Sequence, residues 1–161
     1  MTKATTFNGP LENGIRALAI LTASYPISYD VQRLVLFDYI TVHSGDVGGP
    51  ESLHPPVPLR SGELLVRREL VHKGLLLMMS RGLIHRNHSR EGIMFSATEE
   101  SAGFLSNLQS PYLKELIERA YWVFNEFGSL SETEIREFLT KFFDKWTEEF
   151  HPNETSSGAG T

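Results

Sequence analysis

Hydrophobic spacing divides the chain into six helical stretches and one region of apolar–polar alternation. In "NGPLENGIRALAILTAS" (8–24), Leu11, Ile15, Leu18, Ala19 and Leu21 recur at helical intervals. Asn8 ahead of Pro10 supplies a cap and a first-turn residue. "YPISYD" then breaks the helix, because the residue before a proline avoids the helical region. Asp30 caps a second helix, "VQRLVLFDYITVH", in which Val31, Leu34, Val35, Asp38 and Ile40 mix apolar and polar faces. A third helix, "SGELLVRRELVHKGLLLMMSR", opens at Ser61 and Glu63 and carries Leu64, Val71, Leu75 and Met78 on one stripe. Its second half is apolar on most sides, which predicts deep burial. Gly74 is a poor helix residue and marks a close crossing or a bend, and Gly82 suits the left-handed C-cap.

Period-two alternation takes over in "LIHR" and "GIMFSAT", with the turn-rich "NHSREG" between them, the pattern of a β-hairpin. Three further helices follow: "TEESAGFLSNL" capped by Thr98, "SPYLKELIERAYWVFNEFG" capped by Ser110 and ending at Gly128, and "SETEIREFLTKFFDKWTEEF" opened by Ser131 and Glu134 at capping-box spacing. Helix–helix–helix–hairpin is the order of a winged helix-turn-helix. The expected fold is therefore mainly α (α+β), a winged helix-turn-helix with a two-stranded wing at about residues 83–97 and additional C-terminal helices. One domain is expected over 7–150, with a disordered polar tail at 151–161. The fold departs from the compact version where a long Gly/Pro loop replaces the turn before the third helix.

Composition adds little except through its asymmetry. The 161 residues are 40% hydrophobic and 22% charged, ordinary for a globular chain long enough to bury a core. There is no cysteine, so thiol catalysis, disulfides and thiolate zinc sites are excluded. No apolar run approaches the roughly 18 residues that span a bilayer, and "MTKATTFNGP" lacks the apolar core of a signal peptide. The expectation is a soluble, cytoplasmic protein. The net charge of −5 hides a split: Arg60 to Arg90 holds seven basic and two acidic residues, and Glu99 to Glu154 five basic and twelve acidic. Two faces with different partners would account for this, as would two solvated surfaces.

Two stretches carry candidate chemistry. The loop "HSGDVGGPESLHPPVP" (43–58) holds His43, Asp46, Glu51 and His54, all metal-ligand types. Their spacings of 3, 5 and 3 within a loop match no metal or phosphate motif, and no nucleophile elbow accompanies them. Glycine permits left-handed turns and proline stiffens the extended chain, so a rigid docking surface built on His43, Asp46, Gly48, Gly49, Pro50, Glu51 and His54 is the favoured reading. No metal or other cofactor is expected. The second stretch is basic: Arg67, Arg68, Lys73, Arg81, Arg86 and Arg90 would line the third helix and the wing, where winged helices meet DNA phosphates. In an acidic chain the same strip also suits an acidic protein surface, and that reading is preferred. In the helix 131–150, Phe138, Phe142, Phe143, Trp146 and Phe150 form an aromatic stripe that either joins the core or anchors a partner.

The segments "FNGPLENGIRALAILTASYP", "DVQRLVLFDYITVHSGDVGGPESLHPPVPLRSGELLVRRELVHKGLLLMMSRGLI" and "SPYLKELIERAYWVFNEFG" closely resemble the middle component of bacterial ABC-three-component systems. That component is related to the small accessory subunit of Lamassu-type anti-phage defence complexes. The resemblance spans about residues 7–150, and "HSGDVGGPESLHPP" with "LRSGELLVRRELV" is its most specific part. It implies a non-enzymatic subunit that holds an SMC-like ATPase and an effector, often a nuclease, together, with any DNA contact made inside the complex. It implies no catalytic residue in this chain. The alternatives are a DNA-binding winged-helix transcriptional regulator and, more remotely, a metal-dependent enzyme using the four loop residues.

Overall fold

A computed structural model describes residues 9–56, 61–138, 140 and 141, with the side chains of 61–65 left out. Helix α1 (Pro10–Ala23), α2 (Val31–Val42) and α3 (Ser61–Ser80) precede strands β1 (Ile84–Ser89) and β2 (Gly92–Ala97). Helices α4 (Ser101–Ser106) and α5 (Pro111–Phe127) follow, and a last helix starts at residue 132. The architecture is mainly α with one antiparallel two-stranded sheet, in the helix–helix–helix–hairpin order of a winged helix.

α1 is the hub. It packs chiefly on α3 and α5 and also meets α2, α4 and β2. Every residue from Asn13 to Leu21 is buried, so no face of this stretch is left for solvent. A helix surrounded in this way is apolar on most sides, and Ala17, Leu18, Ala19, Ile20 and Leu21 supply that surface. The helix is entered through Gly9, whose carbonyl accepts both Asn13 N–H (3.0 Å) and Asn13 Nδ2 (2.9 Å). The sequence-based cap, Asn8, lies outside the described residues, and Gly9 occupies the N-cap position with no side-chain bond.

The crossing of α1 with α3 depends on two glycines. A Cβ added to Gly74 would stand 2.5 Å from the backbone nitrogen of Gly14, and one on Gly14 would stand 3.0 Å from the Gly74 carbonyl oxygen. The helices touch backbone to backbone here, so Gly74 marks a close crossing. Val71, Leu75 and Met78 flank it and are buried. The deep burial expected of the second half of α3 holds for Val71, Gly74, Leu75 and Met78 but not for Leu76, which is 46% exposed. Among the described residues, its main neighbours α1, α2 and β1 leave Leu76 on the outer face.

Gly82 (φ 71°) reverses the chain after α3, and the wing follows. Its register runs from Ile84 opposite Ala97 to Ser89 opposite Gly92. The expected six-residue turn thus contracts to Arg90 and Glu91, with Gly92 at φ 113° just after it. Only the base of the wing is buried, through Ile84, Phe95 and Ala97. Phe95 also exchanges two backbone hydrogen bonds with Tyr29 (2.9 and 2.8 Å), an isolated bridge rather than a strand. Thr98 does not cap α4 as expected. Its hydroxyl donates to the Gly82 carbonyl (3.0 Å), Ser101 Oγ donates to the Leu83 carbonyl (2.6 Å), and α4 is shortened to six residues. These two bonds fasten both ends of the hairpin to one turn.

Four other predicted caps and stops are present. Asp30 accepts from Arg33 N–H (2.8 Å), Ser110 from Leu113 N–H (3.0 Å), and Pro111 is the first residue of α5, which ends at Gly128. Ser131 and Glu134 satisfy each other's N–H groups at 3.1 Å, a complete capping box. Phe138 packs edge-on against Phe127 with ring centroids 5.3 Å apart, so this member of the aromatic stripe joins the core. Phe142, Phe143, Trp146, Phe150 and the tail 151–161 lie outside the described residues.

The glycine crossing gives a stability test. Alanine is the better helix former, yet Gly74→Ala must push two backbones apart, and overpacking of this kind costs about 1–3 kcal/mol. Gly103, helical with open space where a Cβ would sit, is the control. Thermal unfolding of Gly74→Ala is expected at a midpoint several degrees below the parent, while Gly103→Ala unfolds at the same temperature or slightly higher.

Candidate functional site

The buried interface of α1, α2 and α3 is polar at its centre. Asp38, on α2, is 1% exposed, and Arg16, on α1, is 3% exposed. Arg16 donates from Nε to one carboxylate oxygen (2.8 Å) and more distantly from its terminal nitrogen to the other (3.3 Å). Arg67, on α3, donates to that second oxygen at 2.5 Å. The terminal nitrogen of Arg16 also donates to Asn13 Oδ1 (2.8 Å). Burial alone would raise the Asp38 carboxyl above its ordinary range. The two guanidiniums and their hydrogen bonds outweigh it, and the group is held below that range as a carboxylate. Arg16 loses hydration on burial, but Asp38 more than compensates, and its charge is secured.

The seam continues toward α5. Tyr112, at the start of α5, interacts with Glu12, the first acid of α1. His54, in the loop, lies 2.7 Å from the phenol oxygen of Tyr112 through Nε2, the two rings stacked 6.0 Å apart. Burial pushes Glu12 above the ordinary carboxylate range, opposed by the Tyr112 bond and by Arg16.

The loop folds onto this seam. Ser44–Val47 forms one 3₁₀ turn ended by left-handed Gly48 (φ 79°). Ser44 Oγ donates to the Pro50 carbonyl (2.8 Å), and Leu53 and His54 N–H both donate to the Val42 carbonyl at 3.0 Å. The loop is therefore tied back to the end of α2. From the other side α5 holds it: Arg119 donates twice to the Glu51 carbonyl (3.1 and 2.9 Å), and the Trp122 ring lies so close over Gly49 that no Cβ fits there. Tyr112, Arg119 and Trp122 recur along one side of α5 and form the clamp. Tyr39 donates to Asp46 (2.7 Å) and carries the Arg67 guanidinium over its ring at 5.4 Å, joining loop and ion triad.

This arrangement sorts the sequence candidates. His43 is buried and unreachable from outside, because it follows directly on α2 and turns its ring against Tyr39 (centroids 4.6 Å apart). Gly49, Pro50 and His54 are half-buried, with Gly49 under Trp122. Asp46, Gly48 and Glu51 are exposed, although Asp46 also holds Tyr39. No group of three or more His, Asp or Glu side chains is arranged to hold a metal ion among the described residues. Residues 57 and 58 of the loop lie outside them.

The basic strip divides too. Arg67 turns inward to Asp38, so the expectation that it reaches a phosphate is corrected: its charge is used inside the fold. Arg68, Lys73, Arg81, Arg86 and Arg90 are exposed, and none forms an ion pair with a described residue. Sequence reasoning missed Arg16, Glu12, Tyr112, Arg119 and Trp122 as site residues. A charged residue amid the apolar run of α1 was the available signal for Arg16. The seven-residue interval from Tyr112 to Arg119 was the signal for the clamp.

The class defined by this fold and site is a mainly α domain with a two-stranded wing, its long interhelical loop clamped by a later helix. Within that class, the chain belongs to the family described as ABC-three component (ABC-3C) system Middle Component 2, which matches residues 6–149. It is an accessory component of a multi-component system, with protein partners. No match was found among curated proteins or solved structures.

Two predictions follow from the seam. Removing a partner from a buried ion cluster costs about 3–5 kcal/mol, whereas replacing the whole cluster by apolar groups is often neutral. Asp38→Asn is thus expected to lower the denaturation midpoint sharply, and the triple variant Arg16→Met, Asp38→Leu, Arg67→Met to recover most of the loss. If the single and triple variants are equally damaged, the ion triad is not the source of the effect.

The second concerns pH. Burial lowers His43 and His54, each to about 4, and Arg67 next opposes the charge of His43 as Arg16 does that of His54. Both rings are neutral in the fold, whereas an unfolded histidine takes up a proton near 6.5. Unfolding then binds protons, so stability is full above about pH 6.5 and falls as pH drops toward 4. At pH 5 each ring would account for roughly 2 kcal/mol of loss. Melting curves from pH 7.5 to 4.5 are expected to show this decline, and His43→Phe should make it shallower between pH 6.5 and 5.

Proposed function

We propose that this chain is a non-enzymatic adaptor in an SMC-like ATPase anti-phage defence complex, where it bridges the ATPase and an effector such as a nuclease. The kinship with Lamassu-type accessory subunits is part of this proposal, as is a cytoplasmic location. The observation that carries it is the match to a middle-component family over residues 6–149. The site supports it. Of the residue types suited to acid–base or metal chemistry, Asp38 holds Arg16 and Arg67, His54 meets Tyr112, and His43 is buried against Tyr39. What the loop turns outward is Asp46, Gly48 and Glu51, on a backbone tied to Ser44 at Gly49 and to Val42 at Leu53 and His54, with Pro55 and Pro56 exposed beyond it. A surface ordered before binding loses little conformational freedom on docking, which suits an adaptor.

A second reading is a DNA-binding winged-helix regulator, favoured by the exposed Arg68, Lys73, Arg81, Arg86 and Arg90. Such contacts would go to phosphates, would not read sequence, and would weaken steeply with salt. No helix among the described residues is long and apolar enough to cross a membrane.

Tagged chain, co-expressed with the other two components of its system, is expected to elute with both in fixed ratio after size exclusion at physiological salt. Elution of the chain alone, together with retardation of a short duplex by the isolated chain, would replace the adaptor reading with the regulator.

A further inference from the structure

α2, the outer face of α3 and the wing enclose an open groove of about 910 Å³. At its mouth stand two branched apolar side chains from different elements, Val66 (57% exposed) and Ile93 (46% exposed), above the buried ring of Phe95. Around them are Arg68 and Lys73 from α3 and Arg86 from the wing, none of which pairs with a described acid. Two acids also line the groove. Asp30 accepts the Arg33 N–H as the cap of α2 and keeps its charge, so three cations face two carboxylates and the cations are in excess by one.

We propose that this groove is the docking site for an acidic segment of another subunit, which seats an apolar side chain between Val66 and Ile93 and sets carboxylates against Arg68, Lys73 and Arg86. The proposal rests on the adaptor reading and specifies where and by what chemistry one partner is held. Charge complementarity selects the occupant: a chain with carboxylates two to five residues apart can reach Arg68 and Lys73, which a helical rise of 1.5 Å per residue puts about 7.5 Å apart along α3. The apolar pair decides against nucleic acid. Phosphates and sugars offer nothing to bury against Val66 and Ile93. Exposed ion pairs each add little to affinity, so the buried apolar side chain supplies most of the binding and the cations supply orientation and rate of encounter.

The test uses the assembled system. A photo-crosslinking phenylalanine analogue is placed at position 66 or 93, and the complex with the other two components is irradiated and digested. The expected crosslinked peptide belongs to another subunit and has Asp or Glu within four residues of an apolar residue. Arg68→Glu, Lys73→Glu and Arg86→Glu together should weaken assembly at least tenfold, and Asp or Glu→Lys changes in the crosslinked peptide should restore part of it. Circular dichroism and melting of the triple variant should match the parent, since all three side chains are exposed. A crosslink to nucleic acid, to a second copy of this chain, or to a partner peptide without acids would overturn the proposal, as would unchanged assembly of the triple variant. In each of those cases the adaptor reading survives, because the chain is still in the complex. Failure of the unaltered chain to enter any complex removes both.

Discussion

Asp38 sits where α1, α2 and α3 meet, and its two oxygens are shared between Arg16 from one neighbour and Arg67 from the other. An ion cluster of this kind is not an efficient source of net stability. Stripping water from a carboxylate and a guanidinium costs several kcal/mol each, and the attraction between them returns that energy only when the geometry is good. What the cluster adds over leucine and methionine is position. Turning α2 by one residue rotates Asp38 by about 100° around the helix axis, out of reach of both arginines. Apolar side chains would tolerate smaller slips, whereas a buried, unpaired charge would not.

Everything on the loop side is built from that fixed point. Arg67 reaches Asp38 while lying over Tyr39, and Tyr39 holds Asp46 at the start of the loop. Glu12, four residues before Arg16, interacts with Tyr112, and Tyr112 meets His54 near the loop's end. The two ends of one loop are thus referred to the same three helices. Histidines kept neutral by burial make this possible, since a charged imidazole beside Arg16 and Arg67 would be repelled. The loop that looks most like an active site in the sequence is, on its inner side, a piece of the core.

The sequence exposed some of this and hid the rest for physical reasons. Caps at Asp30, Ser110 and Ser131, the left-handed Gly82 and the hairpin at 84–97 depend on residues within a few positions of one another, so local chemistry revealed them. Gly74 was legible as a crossing because a glycine inside a helix needs a reason; Gly14 carries the same signal inside α1, but nothing local pairs the two. The ion triad spans 16, 38 and 67, and the clamp spans 51 and 119; nothing local joins them. Arg67 and Arg68 show the limit most directly. Adjacent, identical in type and read alike, they point about 100° apart on α3, one into the seam and the other into the groove.

That pair also bears on how the proposed adaptor would work. A subunit that bridges two partners is useful only if the distance between its docking surfaces is fixed; otherwise the position of one partner says nothing about the other. α3 contributes to both surfaces, to the loop side through Arg67 and to the groove through Val66, Arg68 and Lys73. Its position is set by the backbone contact of Gly74 with Gly14 and by the Asp38 triad, one a steric limit on approach and the other an electrostatic limit on slip. Close-packed elements of this kind transmit displacement rather than absorb it. A partner that levers the groove would therefore move Arg67 and disturb Tyr39 and Asp46, so strain at one surface would reach the other through these contacts.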